Sequence, residues 1–249
     1  SYKANFIISE PTIANPQKSA SNTLKIFIGA KEVYPIDNYT EKEKIDRFDL
    51  DCTYSTGNFW KELPTPKFKS DLFPKNDTII EASSEHLPFE DGSMKSIMYD
   101  PPFVIAGKTY KDNRVGSSII AKRYEGYETY GHLMKNYYNT LKELYRITEK
   151  DGLVVFKCQD TVSGGKNHFT HSMVMDMAME MGFYPKDLFI LVANLRINSF
   201  GTKWTKQEHA RKYHSYFWVF QKTKPKVKYD FSNIEPYSIE LDSEESPST

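Results

Sequence analysis

Only two cysteines, Cys52 and Cys158, occur in 249 residues. That is too few for a disulfide framework or a cysteine-rich zinc site, and it points to a reducing, intracellular setting such as the cytoplasm. Net charge is also missing. The 33 Lys+Arg are matched by 33 Asp+Glu, which argues against a uniformly basic coat but leaves local patches open. No apolar run approaches the ~20 residues that span a bilayer, and no signal-peptide pattern is seen, so no membrane partner is expected. Ser1 in place of Met reads as a processed or engineered start. There is no internal repeat. Gly164-Gly165-Lys166 lacks the hydroxyl residue that would complete a phosphate loop and reads as a mobile loop. His168 and His171 stand three apart with no third ligand nearby, so they read as polar residues at a helix start and no metal is expected. No Ser/His/Asp or Cys/His arrangement suggests nucleophilic catalysis.

What is present is a chain with 39% hydrophobic and 14% aromatic residues, enough to bury a core in one large domain. Residues 1–45 read as an N-terminal extension, with short strand candidates around Phe6–Ile8 and Leu24–Ile28. From residue 46 the pattern becomes regular. Strand candidates fall at Phe48–Asp51, Phe68–Phe73, Thr78–Ala82, Ser96–Tyr99, Leu153–Phe156, Leu188–Val192 and Tyr213–Phe220, with a short helix at Asn58–Leu63. Leu133, Tyr137, Leu141, Leu144 and Tyr145 recur at helical spacing and predict a helix over Tyr130–Thr148. A second helix is predicted over His168–Met181, capped by Gly182. The methionines from Met173 to Met181 alternate by two, wrap around that helix and suit core filling. Strands alternating with helices predict an α/β domain with a mostly parallel central sheet, in which ligands bind beyond the carboxyl ends of the strands.

The most specific feature sits at such an end. An apolar strand delivers Asp100-Pro101-Pro102-Phe103. An acid and a backbone carbonyl side by side can accept both hydrogens of a planar amine and so aim its nitrogen lone pair, which is catalysis by positioning. Phe103 can stack on the ring that bears the amine, worth about 1–3 kcal/mol for a nucleobase. The prolines stiffen the turn before a substrate arrives.

These residues resemble the catalytic motif of the S-adenosylmethionine-dependent amino-methyltransferases that act on nucleic acids. In that family a cofactor loop of the form Asp-x-x-x-Gly-x-Gly follows the first strand. Here it reads Asp51-Cys52-Thr53-Tyr54-Ser55-Thr56-Gly57, with Ser55 in place of the first glycine. The ribose-binding acid expected ~20 residues on is matched by Asp71. The segment Glu81 to Ser93 resembles the one preceding the catalytic strand, with Ser83 where the adenine-contacting acid usually stands. Asn15-Pro16-Gln17-Lys18 is similar to the segment that precedes the cofactor loop in some members. The resemblance covers roughly residues 46–222 in unpermuted order. It implies a Rossmann-like class I methyltransferase fold over 46–228; the charge pattern marks residues 229–249 as an acidic, flexible tail. It also implies that Asp51, Thr53, Ser55, Gly57, Asp71 and Ser83 hold S-adenosylmethionine, and that Asp100, Pro101, Pro102 and Phe103 are catalytic.

Nucleic acid is the expected partner, DNA ahead of RNA, with self-association or a second subunit left open. From Lys203 to Lys228 there are seven Lys and one Arg against Glu208 alone, interleaved with Trp204, Tyr213, Tyr216, Phe217 and Trp218. From Tyr229 onward there are six acids and no base. Lys108, Arg114, Lys157, Lys203 and Arg211 are the candidates for contacting the substrate. Lys157 and Asp160 end the strong Leu153–Phe156 strand. The expected reaction is methylation of adenine N6 in DNA. The alternatives are an RNA base amine (adenine N6 or guanine N2), cytosine N4 in DNA, or a non-catalytic subunit of this fold that binds nucleic acid.

Overall fold

The computed structural model describes residues 47–61, 63–103, 105, 127–192, 209–210 and 212–224. Residues 1–45, the tail, and Lys108, Arg114, Lys203 and Arg211 lie outside them. The strands are β1 (Leu50–Asp51), β2 (Phe68–Asp71), β3 (Ile80–Glu81), β4 (Met94–Tyr99), β5 (Thr148–Cys158), β6 (Thr161–Ser163), β7 (Lys166–His168), β8 (Tyr184–Val192) and β9 (His214–Gln221). Two helices, α1 (Tyr130–Ile147) and α2 (Thr170–Glu180), and a single 3-10 turn at Asn58–Trp60 complete the described elements.

Seven strands form one sheet in the order β3-β2-β1-β4-β5-β9-β8. The first five run parallel, while β9 is antiparallel to both β5 and β8. The chain steps outward from β1 to β3, then returns to lay β4 on the other side of β1. That reversal is the topological switch of a Rossmann-like sheet, and it opens a crevice at the carboxyl ends of β1 and β4. The register is tight there, with Leu50 opposite Ile97 and Asp51 opposite Met98.

Alternation along the central strands sorts their side chains onto two faces. Ile97, Tyr99, Val154, Phe156, Cys158, Trp218 and Phe220 share one core with Leu133, Tyr137, Leu141 and Leu144 of α1 and with Val174 and Ala178 of α2. Met98, Val155 and Phe217 point the other way and pack with Phe48 and Trp60. The α1 periodicity places Leu133, Tyr137, Leu141 and Leu144 inside, as predicted, while Tyr145 is half-buried at the rim, edge-on to Phe183. Thr129 caps α1, its hydroxyl accepting from the His132 amide at 3.2 Å. Gly182 closes α2 as predicted, with φ of 101° and its amide donating to the Met179 carbonyl at 3.0 Å.

Four expectations change. Of the methionines expected to fill the core, Met173 and Met179 are exposed and Met175, Met177 and Met181 only partly buried against it. The second helix starts at Thr170, because His168 belongs to the β6–β7 hairpin. Gly164 and Gly165, expected in a mobile loop, are the two left-handed residues that turn this hairpin. The strand predicted over Leu153–Phe156 is the middle of an eleven-residue strand, whose polar start Thr148–Gly152 carries no apolar signal.

Candidate active site

Because β1 and β4 are neighbours, the loop after Asp51 lies against the turn after Tyr99. Thr53 joins them. Its hydroxyl accepts from the Asp100 amide at 2.8 Å and donates to Asp51 Oδ1 at 3.2 Å. The Thr53 amide donates to the same oxygen at 2.8 Å, and Trp60 Nε1 donates to Asp51 Oδ2 at 2.6 Å. Asp51 is buried. Burial pushes its carboxyl up to about 7, against the pull of the Trp60 and Thr53 hydrogen bonds, and the negative charge of Asp100 adds to the rise.

The loop turns tightly. Ser55 and Gly57 have φ of 51° and 68°, and a Cβ on Gly57 would come within 2.5 Å of the Tyr54 hydroxyl. The left-handed φ at 57 favours glycine, and an added Cβ would have to push the Tyr54 ring aside. Asp71, at the carboxyl end of β2, reaches back to this loop. Its Oδ2 accepts from the Ser55 amide at 2.7 Å and its Oδ1 from the Phe73 amide at 2.9 Å. Ser83 lies just past β3, where its hydroxyl accepts from the Glu85 amide at 3.3 Å.

Asp100 carries its side chain to the sheet face opposite the helices. There Oδ1 is 2.8 Å from Nζ of Lys157 on β5, with side-chain exposures of 27% and 14%. The pair is thus screened from bulk water yet reachable. The Lys157 ammonium also lies 5.6 Å from the centre of the buried Phe217 ring. Pro101 is buried, and Pro102 and Phe103 are half-buried at the same edge.

The structure therefore brings Asp51, Thr53, Ser55, Gly57, Asp71, Asp100 and Lys157 to one crevice, with Ser83 beyond the end of the adjoining β3. Two groups escaped the sequence reading. Trp60, the donor that holds Asp51, is nine positions away and looks like an ordinary core aromatic. Glu85 binds the side-chain amides of Asn136 and Asn139 on α1, the latter at 2.9 Å, while the Tyr99 and Tyr127 hydroxyls donate to Asn136 at 3.2 and 2.6 Å. The i, i+3 asparagines on one helix edge were the available signal. Asp160, named from the sequence beside Lys157 at the end of that strand, is buried and turned inward, where it accepts from His171 Nδ1 at 2.7 Å and from the Tyr216 hydroxyl at 3.2 Å. His168 instead stacks on Tyr130 with centroids 3.8 Å apart, so the two histidines serve separate contacts.

A family model described as DNA methylase matches residues 94–247, from the start of β4 through β5, β8 and β9. The chain belongs to the DNA methylase family. The match contains Asp100–Phe103 and Lys157 and begins after the Asp51 loop. Among curated proteins none matches the chain. Similar solved structures include a putative DNA modification methylase from Thermus thermophilus complexed with S-adenosyl-L-methionine, 14% identical, covering 60% of this chain and 56% of that one, TM-score 0.39. PvuII DNA methyltransferase, cytosine-N4-specific, is 17% identical over 57% of this chain and 48% of that one, TM-score 0.40. A SAM-dependent methyltransferase from Thermotoga maritima is 14% identical over 83% of this chain and 89% of that one, TM-score 0.39. This DNA methylase chain spans about half the length of the Thermus thermophilus structures.

The residues of this DNA methylase fit S-adenosylmethionine on their own chemistry. Asp71 lends one lone pair from each oxygen to its own loop, which leaves capacity for ribose hydroxyls. The left-handed residues Ser55 and Gly57 let backbone approach a ligand closely.

Proposed function

We propose that this chain transfers a methyl group from S-adenosylmethionine to the exocyclic amine of a base in DNA, with adenine N6 as the target. The observation that carries this reading is the Thr53 bridge, which locks the β1 loop and the amine-reading turn of β4 into one unit. S-adenosylmethionine would be held by Asp51, Thr53, Ser55, Gly57, Asp71 and Ser83, and it supplies a methyl group already activated by a sulfonium.

The chain's own residues then supply orientation. Asp100 accepts one amine hydrogen and the Pro101 carbonyl the other, so the nitrogen lone pair faces the methyl group. Phe103 stacks on the base. A base in duplex DNA would have to swing out of the stack to bring its amine to Asp100 and its ring to Phe103, at a cost of a few kcal/mol. Lys108, Arg114, Lys203 and Arg211 are the proposed phosphate contacts.

The test is incubation of the purified chain with tritiated S-adenosylmethionine and separate DNA and RNA pools, followed by nucleoside analysis. The expected product is N6-methyldeoxyadenosine. Label in N4-methyldeoxycytidine, or in RNA, would move the target to the corresponding alternative. Absence of both transfer and cofactor binding would leave the non-catalytic subunit reading.

A further inference from the structure

The carboxylate of Asp100 does not stand alone in the crevice. Its Oδ1 is 2.8 Å from the Lys157 ammonium, and the two side chains come from adjacent parallel strands, with Tyr99 registered on Phe156. Each therefore sits one residue past a fixed strand pair, and each is held by its own support. Asp100 hangs from Thr53 through its amide, and Lys157 lies over Phe217. The result is an acceptor and a donor set side by side.

An ammonium has three hydrogens, of which Asp100 takes one, while the carboxylate keeps most of its lone pairs. Such a pair complements a particular chemical edge: an N–H donor next to a ring nitrogen acceptor. Adenine presents this edge as N6–H and N1, and cytosine as N4–H and N3. An amine without an adjacent acceptor, on an alkyl chain or a deaza ring, satisfies Asp100 and leaves Lys157 unmatched.

We propose that Lys157 is a specificity-determining residue that donates to the ring nitrogen beside the target amine, so that Lys157 and Asp100 read the base together as one edge. This rests on the methyltransferase reading above and extends it from the amine to the ring. Before a base arrives, the ion pair also keeps Asp100 in the geometry that an amine needs.

The experiment uses the whole chain and two pools of randomised synthetic DNA. One has natural bases, and the other has adenine replaced by 1-deazaadenine, which keeps the amine and loses the ring acceptor. If the target proves to be cytosine, 3-deazacytosine takes that place. The native chain is expected to methylate the deaza pool about 10- to 100-fold more slowly, the range for one lost edge contact of a bidentate pair. Lys157→Met, which keeps the stem and removes the charge, is expected to slow transfer to natural DNA by a similar factor and to lose the discrimination between pools. Lys157→Arg, which keeps a donor, is expected to restore part of it. Cofactor affinity by calorimetry should match the native chain in both variants.

Equal rates for the native chain on the two pools overturn the proposal without any variant. So does undiminished discrimination by Lys157→Met. No transfer to natural DNA by the native chain instead defeats the methyltransferase reading itself.

Discussion

Asp51 and Asp100 illustrate how one sheet edge sets two carboxylates to different work. Asp51 is sealed between Trp60 and Thr53, whereas Asp100 is partly open beside Lys157. Asp100→Ala removes the amine acceptor and leaves the β1 loop in place. Methyl transfer should fall by at least 100-fold, with cofactor affinity in calorimetry within a few-fold of native; retained activity would remove Asp100 from the role proposed for it. Asp51 responds to pH instead. Its carboxyl rises from 3.8 to about 7 on burial, so between those values the folded chain holds a proton that the unfolded chain has released. Folding stability from this group is therefore present below pH 4, falls as pH rises towards 7 and is flat above, by up to about 4 kcal/mol. Asp51→Asn should lose this slope, measured as the difference in urea unfolding free energy between the two proteins from pH 5 to 8. An unchanged slope would mean that Asp51 is ionised throughout.

Residue identity made part of this site legible. Asp100–Phe103 announces itself because an acid, two prolines and an aromatic in a row are rare at a strand end. Asp71 was singled out by its spacing from Asp51, and the contacts that the structure gives it are to the Ser55 and Phe73 amides. The Lys157 partnership was not legible. Lys157 and Asp100 are 57 positions apart, and only the parallel pairing of β4 with β5 brings them together. Trp60 was hidden for a different reason: an aromatic in a short helical turn carries no sign of what its Nε1 will meet.

At the level of elements, terminators proved more informative than interiors. Gly182 marks the end of α2 because residues with a side chain rarely adopt φ of 101°, and the Tyr145 hydroxyl would lie 2.9 Å from an added Cβ. Gly182→Ala should cost about 1–2 kcal/mol, seen as a lower melting temperature with methyl transfer per folded molecule unchanged. A melting temperature equal to native would show that Tyr145 and the backbone adjust freely. The α1 interior was read correctly from its period, and β5 was underestimated because only its buried middle is apolar. The hairpin of β6 and β7 was missed entirely, since Thr161–His168 has Val162 as its single apolar residue, too little for a strand signal, and is specified chiefly by two left-handed glycines.

For the whole molecule, the zero net charge is a cancellation along the chain. The basic stretch from Lys203 to Lys228 is offset by the six acids after Tyr229. Deleting residues 229–249 should tighten DNA binding by several-fold at low salt, with the gain shrinking as salt rises; a fluorescence titration at two ionic strengths would reveal unchanged affinity if the acids play no part.

The placement of β9 between β5 and β8 has a consequence for how the chain is made. β8 leaves the ribosome before β9, yet it joins the sheet only through β9. Until His214–Gln221 has emerged, β8 has no strand to dock on, and Phe189 and Leu191 lack Phe217 beneath them. The Asp100 turn and the Asp51 loop can form earlier, on β1, β2, β4 and β5. Lys157 and Trp60 both rest on Phe217 of β9, so the crevice too is finished only by the last strand, and any message truncated ahead of His214 costs the sheet two strands.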